Sequence, residues 1–353
     1  MIRRLLSLFV VYFLTLNSSQ AVTYYSRTSG NWNVASTWST VSCGGVAAAG
    51  FPGAADIVYI CNGHTISVVA NGNVNSVIIQ SGGTLRTGTS GGGANRTLTI
   101  SGNFNILNGG MYIHNNNQLA SSTIFNGTEY FEANSTIRVD SWSGTGNNLI
   151  TGCNSNFGHV ILNWNPGLFY WNNNGLGYTR TVDGSLTVSN GCATYLDNTA
   201  GDKTISIGTL NITNGYLRIK QSNTGNITVN IPGSIIISGA TSYLYGVYAV
   251  NADITFNATN ITHNSGYFYG IYNGDGDITF NVSSVWFQQN GDFRGIYNTA
   301  TLTAGIPTVN VNSLSFTGGI HIVNYSCNSV PQTLNYNCTT SLVISFKIGR
   351  ASC

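Results

Sequence analysis

Ser242-Tyr-Leu-Tyr-Gly-Val-Tyr248, Gly266-Tyr-Phe-Tyr-Gly-Ile-Tyr272 and Gly291-Asp-Phe-Arg-Gly-Ile-Tyr297 are three versions of one phrase. Between them stand Asp253-Ile-Thr-Phe-Asn257 and Asp277-Ile-Thr-Phe-Asn281. The spacing is 24 residues from Gly246 to Gly270, from Ile254 to Ile278, and from Ile237 to Ile261 to Val285, with 25 from Gly270 to Gly295. A fixed period of this size marks a solenoid, in which each repeat buries its apolar edge against the next. Inside each copy, β-branched and aromatic residues alternate with Asn, Gly, Ser and Thr, which is strand chemistry. The expectation is an all-β fold: a right-handed, single-stranded parallel β-helix with about 24 residues per coil.

Working outward, coil-like pieces recur at Asn75–Ile79, Leu98–Gly102, Phe104–Gly109, Ser185–Gly191 and Leu210–Leu217. Residues 115 to 180 are less regular and hold Trp142, Trp164 and Trp171. About eleven coils of this length fit between residues 56 and 325. Inner-face parallel strands should be rich in Val, Ile and Leu, as these are. At the start, Met1-Ile-Arg-Arg4, the apolar run Leu5 to Leu16 and the small residues of Ser19-Gln-Ala21 read as a secretory signal cut after Ala21. The division is therefore a signal peptide over 1–21, a Trp-rich cap with the first strands over 22–70, and a β-helix over 71–353 whose C-terminus reads as truncated. No later segment is long and apolar enough to predict a membrane-spanning helix. The chain is expected to be secreted or held at the outer cell surface.

Charged residues make up 7% of the chain, far below the roughly 25% of an ordinary globular protein. Losing Arg3 and Arg4 with the leader brings the 13 basic residues to 11, against 11 acidic ones. A chain without net charge has little with which to displace counterions from a phosphate backbone, so nucleic acid is not an expected partner. Seven cysteines in an exported chain read as disulfide candidates: Cys43 and Cys61 flank one loop, Cys327 and Cys338 another, Cys153 and Cys192 stand further apart, and Cys353 ends the chain. No pair has zinc-ligand spacing with the five histidines, so neither a metal nor a cofactor is expected.

The N-terminal region runs Gly30-Asn-Trp-Asn-Val-Ala-Ser-Thr-Trp38, then Phe51-Pro-Gly53, Asp56-Ile-Val-Tyr-Ile60 and Asn62-Gly-His-Thr-Ile-Ser-Val68. Trp32 and Trp38 are the natural lids of the first coil, and Asn62-Gly63 offers the positive φ of a hairpin-type turn. This stretch, about residues 26 to 86, resembles the N-terminal unit of secreted parallel β-helix proteins of Bacteroidetes-type bacteria. It is also similar to the start of the eight-glycine domain of larger cell-surface proteins. The resemblance implies export and a β-helix. It also implies a C-terminal sorting domain in many members, for which the ending Gly349-Arg-Ala-Ser-Cys353 shows no counterpart.

A polysaccharide-cleaving enzyme of pectin-lyase-like fold needs two facing carboxylates. By period only Asp253 and Asp277 stack, and each precedes a strand, where an Asp closes a turn through its own backbone bonds. Gly274-Asp-Gly-Asp277 offers too few oxygens for calcium, and Arg218-Ile-Lys220 echoes a polygalacturonase tripeptide without its companions. No catalytic residue is expected. Thr-x-Thr does not recur at a fixed coil position, so ice binding by a flat Thr-rich face is not expected. The aromatic repeats remain: Tyr243 over Tyr267, Tyr245 over Tyr269 with Arg294 completing the column, and Tyr248 over Tyr272 and Tyr297. With Leu244, Phe268 and Phe293 inside, Tyr245, Tyr269, Arg294, Tyr248, Tyr272 and Tyr297 form an exposed row of aromatic faces. Such a row suits a glycan or a surface protein, or simply stacks on itself to stabilise the coils.

Overall fold

The computed structural model describes residues 20–88, 96–115, 128–141, 156–163, 168–170, 180–197, 201–221, 225–251, 253–275, 277–288, 292–298, 308–316, 323–325 and 335–338. Residues 1–19, with most of the expected signal peptide, and Trp142, Trp164, Trp171, Cys153, Cys327 and Cys353 lie outside them. Among the described residues the chain is a parallel β-helix. A thirteen-stranded sheet runs from Gly30–Asn31 through Thr65–Val68 and Ile254–His263 to Asn335–Cys338, each strand hydrogen-bonded to the next coil's. Eleven of these strands fall between residues 56 and 325. A seven-stranded sheet from Leu168–Tyr170 to Val323–Tyr325 forms a second wall, and a six-stranded sheet walls the N-terminal coils. No helix among the described residues is long and apolar enough to cross a membrane.

In the regular part, each coil has a long strand that bends in its middle. Ile254–His263 alternates buried and half-buried residues, then shows two half-buried residues together at Thr259-Asn260. The same break recurs at Gly208-Thr209 and around Pro232-Gly233-Ser234. The register shifts at each of these corners, so one strand serves two walls of the coil. Inward residues stack in columns: Ile205, Val229, Phe256 and Phe280 are all essentially inaccessible, and the Phe256 and Phe280 rings stack at 5.3 Å. Outward, Asn257 donates to Asn230 at 2.8 Å and Asn281 donates to Asn257 at 2.7 Å, an amide ladder along the coils.

The period is looser than 24. Ile254 pairs with Ile278 as expected, but Ile57 pairs with Ser76, Ile227 with Ile254 and Thr279 with Thr308, offsets of 19, 27 and 29. The alignment of Ile237, Ile261 and Val285 does not hold. Ile235, Ile261 and Trp286 share that column, because the coil before Ile261 carries two residues more than 24 and the coil after it one more. Strand segments have fixed lengths set by the walls, and turns absorb the difference at small entropic cost.

The cap gives each motif residue a structural task. Trp32 and Trp38 are buried edge to face at 5.1 Å, and Trp38 Nε1 donates to the Trp32 carbonyl at 2.7 Å. Asp56 accepts the Gly53 N–H at 2.7 Å and the Val22 N–H at 2.9 Å, which fixes the Pro-Gly-x-x-Asp loop. His64 Nδ1 lies 3.1 Å from the Ser26 carbonyl and 2.9 Å from Ser26 Oγ, which itself accepts the Cys61 N–H at 2.8 Å. Asn62-Gly63 joins strands of two different sheets, so it is a coil corner and not a hairpin. Gly63 alone of the pair has positive φ (74°), and Gly82 and Gly109 repeat that conformation, linked by N–H···O bonds of 3.0 and 2.9 Å. Cys43 and Cys61 form a disulfide, and among the described residues Cys192 is a free, buried thiol.

Phe256→Ala empties the middle of the inner column and should cost about 3–5 kcal/mol, read from denaturant unfolding. Reducing Cys43–Cys61, which are 18 residues apart, should cost about 3 kcal/mol of stability if the constraint on the unfolded cap dominates. An unfolding midpoint unchanged by reductant would contradict it.

Candidate tyrosine face

The seven-stranded sheet places three columns side by side on its outer surface. Tyr216, Tyr243 and Tyr267 align across successive coils, followed by Asp292. Arg218, Tyr245, Tyr269 and Arg294 form the second column, and Gln221, Tyr248, Tyr272 and Tyr297 the third. The side chains of Gln221, Asp292, Phe293, Arg294 and Tyr297 lie outside the described residues, so only their backbone positions are assigned. Inward Leu217, Ile219, Leu244, Val247, Phe268 and Ile271 are fully buried, which turns the intervening tyrosines outward. Leu244 and Val247 both point inward although three positions separate them, so the strand changes phase at Gly246. A Cβ there would stand 2.2 Å from the Gly270 carbonyl oxygen and 2.5 Å from the Phe256 ring. Glycine at this position is what allows the second and third columns to share one surface.

Rings stack along the coils: Tyr243 on Tyr267 at 4.6 Å, Tyr245 on Tyr269 at 5.0 Å and Tyr248 on Tyr272 at 4.7 Å. Across the columns they meet edge to face, Tyr245 against Tyr248 at 5.8 Å and against Tyr272 at 5.4 Å. The result is a mosaic whose ring faces are largely covered by one another. Tyr269 keeps only 8% of its surface exposed, whereas Tyr267 at the border keeps 36%. An open row of faces is thus not what the sheet presents, since ring-on-ring stacking covers much of it.

Arg218 stands in the second column between Tyr245 and the backbone position of Tyr195, whose side chain lies outside the described residues. Its guanidinium carbon lies 3.8 Å from the Tyr248 ring centroid, 5.2 Å from Tyr216 and 5.5 Å from Tyr245, and its Nε donates to the Tyr216 hydroxyl. A cation over aromatic faces is attractive, and more so where water is partly excluded. Burial holds the Tyr245 hydroxyl above its ordinary pKa, Tyr272 adds to that push, and Arg218 draws it back. Sequence reasoning missed Arg218 and Tyr216 as members of this site. Tyr216-Leu-Arg218 does match Tyr243-Leu-Tyr245, but at an offset of 27 rather than 24.

The carboxylate column is structural. Asp253 accepts the Asp277 N–H at 3.0 Å, Asn226 accepts the Asp253 N–H at 3.4 Å, and Asp202 accepts the Asn226 N–H at 2.8 Å. Each side chain caps the next coil's backbone rather than its own turn. No cluster of three His, Cys, Asp or Glu suited to a metal occurs among the described residues; Gly276, within the calcium-like loop, lies outside them. Comparison with family models, curated proteins and solved structures gave no match.

Because the folded state resists ionising Tyr245, the stability it supports is fully present below pH 10, the ordinary tyrosine value, and is lost as pH rises beyond it. Arg218→Gln removes a cation that favours the phenolate, so Tyr245 should ionise at still higher pH. An alkaline titration of tyrosinate absorbance, with Tyr245→Phe identifying the step, checks the sign; a shift downward would refute the assignment.

Proposed function

We propose that this chain is an exported β-helix that binds an extended glycan, without cleaving it, along the tyrosine face. The observation that carries the proposal is the set of in-register tyrosine columns on one sheet, with the Arg218 guanidinium packed on their rings. Successive coils repeat phenol groups at about 4.8 Å, so a chain polymer lying along the coils meets the same donors and acceptors at each rung. Each neutral hydrogen bond nets only about 1 kcal/mol, so useful affinity requires many rungs engaged together, which a polymer supplies and a monosaccharide does not. Mutual ring packing costs the face its stacking platforms but fixes its hydroxyls in advance, lowering the entropy lost on binding. Low charge and the leader-like start support an extracellular setting.

A glycan array probed with the mature chain should retain polysaccharides in preference to short oligosaccharides, with no reducing ends released. The double variant Tyr243→Ser/Tyr267→Ser, which removes two of the three border tyrosines, should weaken retention roughly tenfold or more if the rungs act together. Release of sugars, or no retention of any glycan, would overturn the proposal.

A further inference from the structure

A second in-register array lies on the thirteen-stranded sheet, away from the tyrosines. Thr204, Thr228, Thr255, Thr279 and Thr308 occupy one column across five coils. Two residues further along each strand, Ser206, Asn230, Asn257, Asn281, Asn310 and Asn337 occupy another. Thr-x-Thr does not recur, but Thr-x-Asn does, in four consecutive coils from Thr228-Val-Asn230 to Thr308-Val-Asn310. Where side chains are described, both columns are outward and half-buried, alternating with fully buried Ile205, Val229, Phe256 and Phe280. This order is not a by-product of a Thr- and Asn-rich composition. The other half of the same strands presents Thr187, Asn211, Ile236, Thr262 and Phe287 in its outer column, a mixed set.

We propose that the Thr-x-Asn array binds ice. Its rungs repeat at about 4.8 Å and its columns stand about 6.7 Å apart, twice the rise per strand residue. This is a two-dimensional lattice on the scale of the oxygen repeats of ice. Its members are held in place: threonine has few χ1 choices, and Asn230, Asn257 and Asn281 are tied to one another at 2.8 and 2.7 Å. Hydroxyls anchor water while the threonine methyls order the first shell between them. Liquid water already satisfies such groups, so a small solute gains little by replacing it. A solid that engages every rung at once sums many small gains, as a multivalent partner does. Charge complementarity points the same way, since no Asp, Glu, Lys or Arg interrupts the array from Thr204 to Asn310. The carboxylates of Asp202, Asp253 and Asp277 border it two residues before Thr204, Thr255 and Thr279 and disfavour a polyanion, whereas a neutral lattice fits the columns themselves. The inference does not depend on the tyrosine face.

The test is ice-crystal growth in the full secreted chain, viewed under a cold-stage microscope together with a recrystallisation assay. Wild-type protein should facet ice crystals and slow recrystallisation. Thr255→Tyr and Thr279→Lys, each placed inside the array, should lower that activity roughly tenfold or more, with circular dichroism unchanged. Thr262→Tyr, on the other half of the strand, should leave it intact. If Thr255→Tyr fails to fold, Thr279→Lys decides. Round, unfaceted crystals with wild-type protein would overturn the proposal, as would full activity in a folded array variant or an equal loss in Thr262→Tyr.

Discussion

Parallel hydrogen bonding between successive coils is the interaction on which this molecule depends. In a parallel ladder the backbone is satisfied by the coil before and the coil after, and the side chain at each position meets its counterpart about 4.8 Å away. One choice of register therefore fixes the core, the outer columns and the corners together. Phe256 over Phe280 inside, Asn257 over Asn281 outside and Tyr248 over Tyr272 on the second wall are three consequences of that choice. A register error of one residue would send every inward side chain outward, which is why the two-phase strands are anchored by corners.

Those corners are where the chain absorbs its irregularity. Coil offsets run from 19 residues to 29, yet the walls keep their alternation, because extra residues are added where the backbone turns away from the core. Open ends are the other demand of a stacked fold, since an exposed strand edge invites further pairing. At the N-terminus the demand is met by buried Trp32 and Trp38, by the antiparallel pairing of Thr23–Ser26 with Trp38–Ser39, and by a disulfide that holds the loop between them and the first full coil.

The fold was legible because its signal is redundant. Five segments around Tyr243–Tyr297 repeat at nearly constant spacing, and each adds the same evidence for strands in coils. The tyrosine columns were legible for the same reason. What failed were alignments across coils of unequal length. A period of 24 put Ile237 beside Ile261, and concealed both Arg218 beneath Tyr245 and the threonine column from Thr204 to Thr308. Exposure was equally out of reach. Whether Tyr269 offers its face or only its edge depends on rings two and three positions away in other coils, and no local pattern encodes that.

The same register accounts for the chain's unusual lack of charge. Stacked repeats place like residues directly above one another, and two like charges at 4–5 Å repel by about 1 kcal/mol even in water, and by several at a partly buried surface. Neutral side chains carry no such cost and gain from stacking, so Asn, Thr and Tyr fill the columns. Where charges do occur, their partners differ. Arg218 and Arg294 share a column but are separated by Tyr245 and Tyr269, two coils of aromatic insulation. Asp202 is followed by Asn226 before Asp253, and the adjacent Asp253 and Asp277 are reconciled by a backbone N–H that Asp277 donates to the carboxylate of Asp253. Seen this way, a charge content of 7% follows from repetition itself: a surface assembled from stacked copies is driven toward groups that tolerate their own image, and such a surface is a regular, neutral lattice.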